Sequence, residues 1–256
     1  MDRVLVLGVP VDPVTVDDLH ARIRHFVTAD ARATILHANV QAINLAWRHA
    51  WLARIFEEAE LVFCDGAGVQ MGARILGQHL PERITYADWL WRLAAWCRSE
   101  HLSLFLIGAR PGVAALAADR LRERCPGVRI AGTHHGYFDK TPGSSESQAV
   151  VRDLNTARPD IVIVGFGMPA QERWVHEHRR AIDAPVVLTS GAAFDYVSGQ
   201  LRRAPAWMTR HGLEWLGRLL IEPGRLASRY LLGNPLFLAR VLRARLRRDA
   251  GAPPRS

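Results

Sequence analysis

At 256 residues, 49% hydrophobic and 23% charged, the chain has the composition of a folded globular protein and not of a disordered one. Its three cysteines, Cys64, Cys97 and Cys125, cannot pair completely and lack C-x-x-C spacing, which argues against a disulfide scaffold and for a reducing compartment. The net charge of +8 is unevenly placed: residues 202–256 hold 12 arginines against the acids Glu214, Glu222 and Asp249, whereas the other 201 residues hold 21 basic and 22 acidic groups.

The opening MDRVLVLGVPVD has an apolar run that reaches Pro10 at once, so it reads as a strand and not as a signal peptide. Further strands are expected at Ala33–Leu36, Leu61–Cys64, Leu102–Ile107, Val128–Ala131, Ile161–Val164 and Val186–Thr189, after a first one at Val4–Leu7. Helical periodicity fills the intervals Thr15–Thr28, Val40–Glu58, Gly68–Leu76, Ala87–Ser99, Gly112–Arg124, Ser145–Ala157 and Ala170–Ala181. Strands that alternate with helices pair in parallel through right-handed crossovers, and the unbroken apolar runs LFLI and IVIV suit a sheet covered on both faces. The expected fold is a doubly wound α/β domain, Rossmann-like and mostly parallel, over residues 1–200.

Beyond Gln200 the pattern changes. Pro205, Pro223 and Pro235 punctuate three helical pieces, Trp207–Ile221, Gly224–Leu232 and Leu236–Arg248, and Ala250–Ser256 reads as a frayed end. Residues 201–256 thus form a basic, amphipathic helical appendage. Such a segment meets an anionic surface, either lipid or nucleic acid; its bland alternative is a packed helix with a solvated arginine face. No stretch reaches the ~20 apolar residues of a spanning helix, so any membrane contact is expected to be peripheral.

Ligands of an open parallel sheet bind at the strand ends. Four such ends carry polar or glycine-rich sequences: HAN (His37–Asn39), CDGAG (Cys64–Gly68), IGARPG (Ile107–Gly112) and GFGMPAQE (Gly165–Glu172). Gly66, Gly108 and Gly165 are the candidates for close backbone approach to a ligand, although tight strand-to-helix turns need glycine as well. Asp65 follows LVFC at a strand end. Its carboxylate could accept a proton from a hydroxyl nucleophile, or it could cap the next helix. Arg83 in PERIT could neutralise a diphosphate, or lie on the surface. There is no G-x-G-x-x-G and no Walker motif, which argues against a dinucleotide-dependent oxidoreductase and a P-loop enzyme. An Asp-x-Asp metal clamp is absent, and His134 and His135 are adjacent, a poor metal pair.

Taken together the motifs resemble the WecG/TagA/CpsF family of bacterial glycosyltransferases. The matching stretches run from about Val9 to about Tyr230: ANVQAIN, AELVFCDGAGV, LPERITYAD, GTHHGYF, RPDIVIVGFGMPAQERW, GAAFDYVSG, RRAPAWM and GLEWLGRLLxEP. The resemblance implies transfer of a sugar from a UDP-sugar, with inversion, to a polyprenyl-diphosphate-linked acceptor, without a metal or other cofactor. Donors of the N-acetylmannosamine, mannosaminuronate or glucose type are implied, in cell-surface or exopolysaccharide assembly at the cytoplasmic face of the inner membrane. By the same resemblance Asp65 is the general base, Asn39 and Gln171 line the pocket, Arg83 lies near the diphosphate, and Arg218 and Arg225 fold over the site from the appendage. Tyr137, in GTHHGYF, joins the substrate-contacting candidates. Two positions depart from the pattern: His37 stands where relatives have a threonine with a role in catalysis or acceptor contact, and Ser228 stands where a third arginine is expected, with Arg229 next. The competing reading is a nucleic-acid-binding α/β protein that uses the basic tail, but interleaved aromatic–basic motifs are missing.

Overall fold

The structure is a computed structural model that describes residues 2–249, without the side chains of Ala206, Arg210, Arg225, Arg248 and Asp249; residues 250–256, expected to fray, lie outside the described residues. Its strands are β1 (Val4–Val6), β2 (Val9–Val11), β3 (Ala33–Ala38), β4 (Leu61–Cys64), β5 (Ser103–Gly108), β6 (Arg129–His134), β7 (Ile161–Gly165) and β8 (Val186–Thr189). The last six form one sheet in the order β4-β3-β8-β7-β5-β6, and every neighbouring pair is parallel. All residues of β4, β5, β7 and β8 are buried, as their unbroken apolar sequences require of strands covered on both faces. The expected Rossmann-like α/β architecture is therefore the observed one.

The first strand belongs elsewhere. Val4–Leu7, read as a member of the alternating pattern, instead forms an antiparallel hairpin with β2 outside the main sheet. Leu7 at φ 52° and Gly8 at φ 89° make the tight left-handed turn that such a hairpin needs. The four valines Val4, Val6, Val9 and Val11 are buried in one core cluster, so hydrophobic burial favours the hairpin over a place at the sheet edge.

The helices flanking the sheet are α1 (Val16–Thr28), α2 (Val40–Arg48), α3 (Ala50–Glu58), α4 (Ala67–Ile75), α5 (Tyr86–Ser99), α6 (Val113–Arg124), α7 (Ser145–Ala157), α8 (Ala170–His178) and the short α9 (Ala193–Val197). The single helix expected over Val40–Glu58 breaks at His49, whose backbone is extended at φ −128°, ψ 102°. The appendage comprises α10 (Ala206–Arg210), α11 (Glu214–Ile221), α12 (Pro223–Ala227), a π-helical turn (Ser228–Leu232) and α13 (Gly233–Asp249). Gly212, at φ 73°, splits the helix expected over Trp207–Ile221.

The apolar residues of the last helix divide by face. Phe237 and Val241, one helical turn apart, are buried against α2 and α4 and join the core that contains Leu36, Val62 and Val69. The ring of Phe237 fills the space above Gly72, where an added Cβ would stand 2.7 Å from its Cζ. Burial of such a ring contributes ~1.5–3 kcal/mol. Leu242 and Leu246 point away from this contact and are exposed.

Candidate active site

Two cavities open at the carboxyl ends of the strands. The larger, about 1060 Å³, lies over β3, β4 and β8 and is roofed by α11, the π turn and the start of α13. The smaller, about 830 Å³, lies over β5, β6 and β7. They share Gly167, Gly191 and Ala192, so the loops after β7 and β8 form the partition between them.

Asp65 lines the larger cavity. Its backbone N–H donates to the Ala38 carbonyl at 3.0 Å, which ties the exit of β4 to that of β3. Gly68 allows α4 to start against α2, because a Cβ there would come within 2.6 Å of Val40 Cγ2. The N-cap of α4 is Gly66, with no side-chain cap, so Asp65 does not cap the helix that follows it. Its carboxylate instead accepts the backbone N–H of Tyr86, the first residue of α5. Burial, and next the charge of Glu214, push the Asp65 carboxyl up to about 7, while Arg218, the Tyr86 N–H and Arg83 pull it down. Asp65 can thus exchange a proton near neutral pH.

The cations come from two sides. Arg83, ahead of α5, lines the cavity, donates to the Thr209 carbonyl at 3.1 Å and stands 3.7 Å from Glu214. Arg218 of α11 lies over the Tyr196 ring at 5.4 Å. Its own burial opposes the charge, but Tyr230, Tyr196, Asp65 and Glu214 outweigh that and hold its proton more firmly than usual. Arg225 lies in α12, and its side chain is outside the described residues. The wide π turn brings both Ser228 and Arg229 to the cavity wall, and the positive charge of Arg229 reaches His37.

His37 is 3% exposed at the cavity floor. Burial holds its imidazole at about 4, so the ring is neutral. Its Nδ1 lies 2.9 Å from the Thr189 carbonyl, which can only accept, so Nδ1 carries the proton and Nε2 is left as an acceptor. A threonine hydroxyl in the same place would offer a donor as well. Asn39 caps α2 through Oδ1, which accepts from Ala42 N–H at 3.0 Å, and it also lines the cavity together with Gly66.

The remaining candidates sit elsewhere. Gln171 is fully buried and lines neither cavity; its Oε1 accepts from Gly167 N–H at 3.1 Å and Gly191 N–H at 3.0 Å, and so clamps the two partition loops. Its Nε2 donates to Glu172 at 2.6 Å, which fixes the orientation of the amide. Gly165 and Tyr137 line the smaller cavity. Gly108 stands behind that wall, where any Cβ would meet the Gly165 carbonyl oxygen at 2.4 Å. The structure therefore gathers Asp65, His37, Asn39, Gly66, Arg83 and Arg218 at one cavity, Gly165 and Tyr137 at the other, and places Gln171 and Gly108 in support.

Gln41, Tyr86 and Tyr196, which line the larger cavity, escaped the sequence reading. Gln41 Oε1, Tyr86 Oη, Tyr196 Oη and Arg218 Nε are buried without a hydrogen-bond partner, and all belong to residues that line the larger cavity. Buried polar atoms are seldom left unpaired, so their convergence marks a place for a polar ligand. The smaller cavity holds Lys140, whose ammonium donates to the Phe138 carbonyl at 3.2 Å and lies over the rings of Phe138 and Phe166 at 4.4 and 4.7 Å. Its being the chain's sole lysine was the available signal.

Residues 4–251 match the glycosyl transferase WecG/TagA/CpsF family along nearly the whole chain. The chain belongs to this family. It is similar to the N-acetylglucosaminyldiphosphoundecaprenol N-acetyl-beta-D-mannosaminyltransferases of Staphylococcus aureus. Those of strains NCTC 8325 / PS 47, COL and MW2 are each 28% identical over 245 residues, covering 95% of this chain and 93% of theirs. As a member of the WecG/TagA/CpsF family the protein is a glycosyltransferase of bacterial envelope polysaccharide synthesis. This decides against the nucleic-acid-binding and oxidoreductase readings.

Proposed function

We propose that the protein transfers a sugar from a UDP-sugar to a polyprenyl-diphosphate-linked sugar by a single displacement with Asp65 as the general base. The acceptor hydroxyl oxygen forms the new bond to the anomeric carbon from the face opposite the nucleotide. Its proton passes to an Asp65 oxygen, and the bond from the anomeric carbon to the diphosphate breaks with its electron pair leaving on UDP. Arg83 and Arg218 balance the charge that develops on the diphosphate, a role that needs neither a metal nor another cofactor. The smaller cavity, with its glycine-rich rims and Tyr137, suits the nucleotide, which would point its diphosphate across the Gly167–Gly191 partition towards Asp65. Neutral His37 would accept a hydrogen bond from a sugar hydroxyl or amide. The name of the S. aureus relatives favours an N-acetylmannosamine-type donor and a diphospholipid N-acetylglucosamine acceptor.

The observation that carries this reading is a strand-end carboxylate that caps no helix and lines one cavity with two guanidiniums, where burial raises its affinity for a proton. The test is Asp65→Asn. Turnover should fall ~10²–10⁴-fold while UDP still binds, as followed by calorimetry; near-normal turnover would remove the base.

Residues 201–256 are proposed as a separate appendage that rests on the cytoplasmic face of the membrane. Trp207, Leu220, Leu231, Leu232, Leu242 and Leu246 are exposed there beside many arginines. Among the described residues no helix is long and apolar enough to cross a membrane.

A further inference from the structure

Glu214 is one of three acids in a segment with 12 arginines, and it opens α11 at the wall of the larger cavity. Its side chain is 12% exposed. The carboxylate faces two cations, Arg83 at 3.7 Å and Arg203 at 4.0 Å. Arg203 in turn holds Asp88, in the first turn of α5, with both ends of its guanidinium. One acid of the appendage therefore joins three pieces of chain: the loop that carries Arg83, the connector after α9, and the start of α5, whose first N–H reaches Asp65. The groups that face Asp65 are Glu214 and Arg218 from α11, Arg83 from the loop, the N–H and phenol of Tyr86 from α5, and the thiol of Cys64 from its own strand. Glu214 supplies the second negative charge of this group.

We propose that Glu214 is a positioning residue for the transfer step: from the wall of the cavity that Asp65 lines, it holds Arg83 in place and brings a second negative charge to the site when α11 seats. This rests on the proposed role of Asp65. The physical reason is the balance of charge. An isolated pair of guanidiniums would keep Asp65 ionised and weakly basic, whereas a neighbouring carboxylate that partly neutralises them returns proton affinity to it. Lifting the appendage removes Glu214 and admits water, and both changes weaken the base. It also removes Arg218, which acts the other way, but burial and Glu214 are the two larger influences on Asp65.

The experiment is the pH profile of kcat for the full chain, with UDP-N-acetylmannosamine and a short polyprenyl-diphosphate N-acetylglucosamine as substrates. In Glu214→Gln the rising limb should move down by about one pH unit, with a plateau several-fold lower. Arg203→Gln leaves Glu214 less neutralised and should move the limb up by a smaller amount. A merely structural role would lower the melting temperature and leave both limbs where the unsubstituted protein has its own; that result overturns the proposal. Should Glu214→Gln not fold, Arg203→Gln decides, and an unmoved or lowered limb overturns it. Asp65→Asn separates the two readings. A limb that survives in it sinks the base itself, whereas a limb abolished there but immobile in Glu214→Gln sinks only the role of Glu214.

Discussion

Asp65 and Arg218 face the same cavity from supports of different kinds. Asp65 follows a strand buried on both faces, its own N–H is bonded across to the neighbouring strand, and its carboxylate meets the start of α5. Arg218 stands on an eight-residue helix of which only Gly217 is fully buried, tied to the body by the ion pair of Glu214 with Arg83 and, through Arg203, to Asp88. Seven large apolar side chains are exposed in the described part of the appendage, against Leu5, Trp47, Met71 and Tyr137 in the rest of the described protein. The base is thus built into the sheet and Arg83 into the loop ahead of α5, while Arg218 arrives on a surface that is only partly satisfied by the protein itself.

The strongest way to break this contrast is Phe237→Ala. If the appendage is anchored chiefly by this ring, unfolding in urea should show a loss of ~3–5 kcal/mol, or a separate early transition of the appendage. Stability unchanged within error would mean that the anchor lies elsewhere. Next is Arg218→Ala, where steady-state kinetics should show a fall of ~10²–10³-fold in kcat. A rise in the donor KM alone would assign Arg218 to binding and not to the transition state.

A subtler test uses pH and stability. Asp65 and Glu172 are both held up to about 7 by burial, so the folded chain binds more protons than the unfolded one between the ordinary carboxyl range and pH 7. Their contribution to stability is full in acid and lost as pH rises through that window. His20 and His37 are lowered to about 4, chiefly by burial, and act the opposite way: their contribution is lost as pH falls from 6.5 towards 4. In Asp65→Asn/Glu172→Gln the two histidines govern the range between about 4 and 6.5, and the melting temperature should then rise from pH 4.5 to 6.5 and level off. A continued fall towards pH 7 would show that other groups dominate.

The smallest effect is expected at the outer face of the appendage. Leu232→Ser and Leu246→Ser should weaken sedimentation with acidic vesicles while changing stability by less than ~0.5 kcal/mol. Arg243→Gln should remove ~1 kcal/mol of vesicle binding, an effect that fades in high salt. Undiminished vesicle binding in all three would place the membrane contact on another surface.

Much of this was legible in the residues. The alternation of apolar runs and helical periods leads to the parallel sheet because burial on both faces demands such runs. The polar and glycine-rich strand ends mark the cavity rims because side chains there leave the sheet together. Val4–Leu7 misled because a four-residue apolar run has no partner written in it; the turn at Leu7–Gly8 and the shared valine core chose the hairpin. Gln171 looked like a lining residue, yet it is a clamp beneath the loops, which follows from the direction of its amide and not from its place in GFGMPAQE.

By itself the sequence determined the strand–helix alternation, the acid at the exit of LVFC, the charge imbalance of the last quarter of the chain, and the likeness to sugar transferases. These are local or compositional properties, set by neighbours within a few residues. Only the tertiary structure decided that Glu214 and Arg218 stand opposite Asp65, that Phe237 and Val241 turn inward while Leu242 and Leu246 turn out, and that two cavities share one partition. Each of these depends on groups far apart in the chain meeting in space, and on how burial and nearby charge then set the affinity of a carboxylate for its proton.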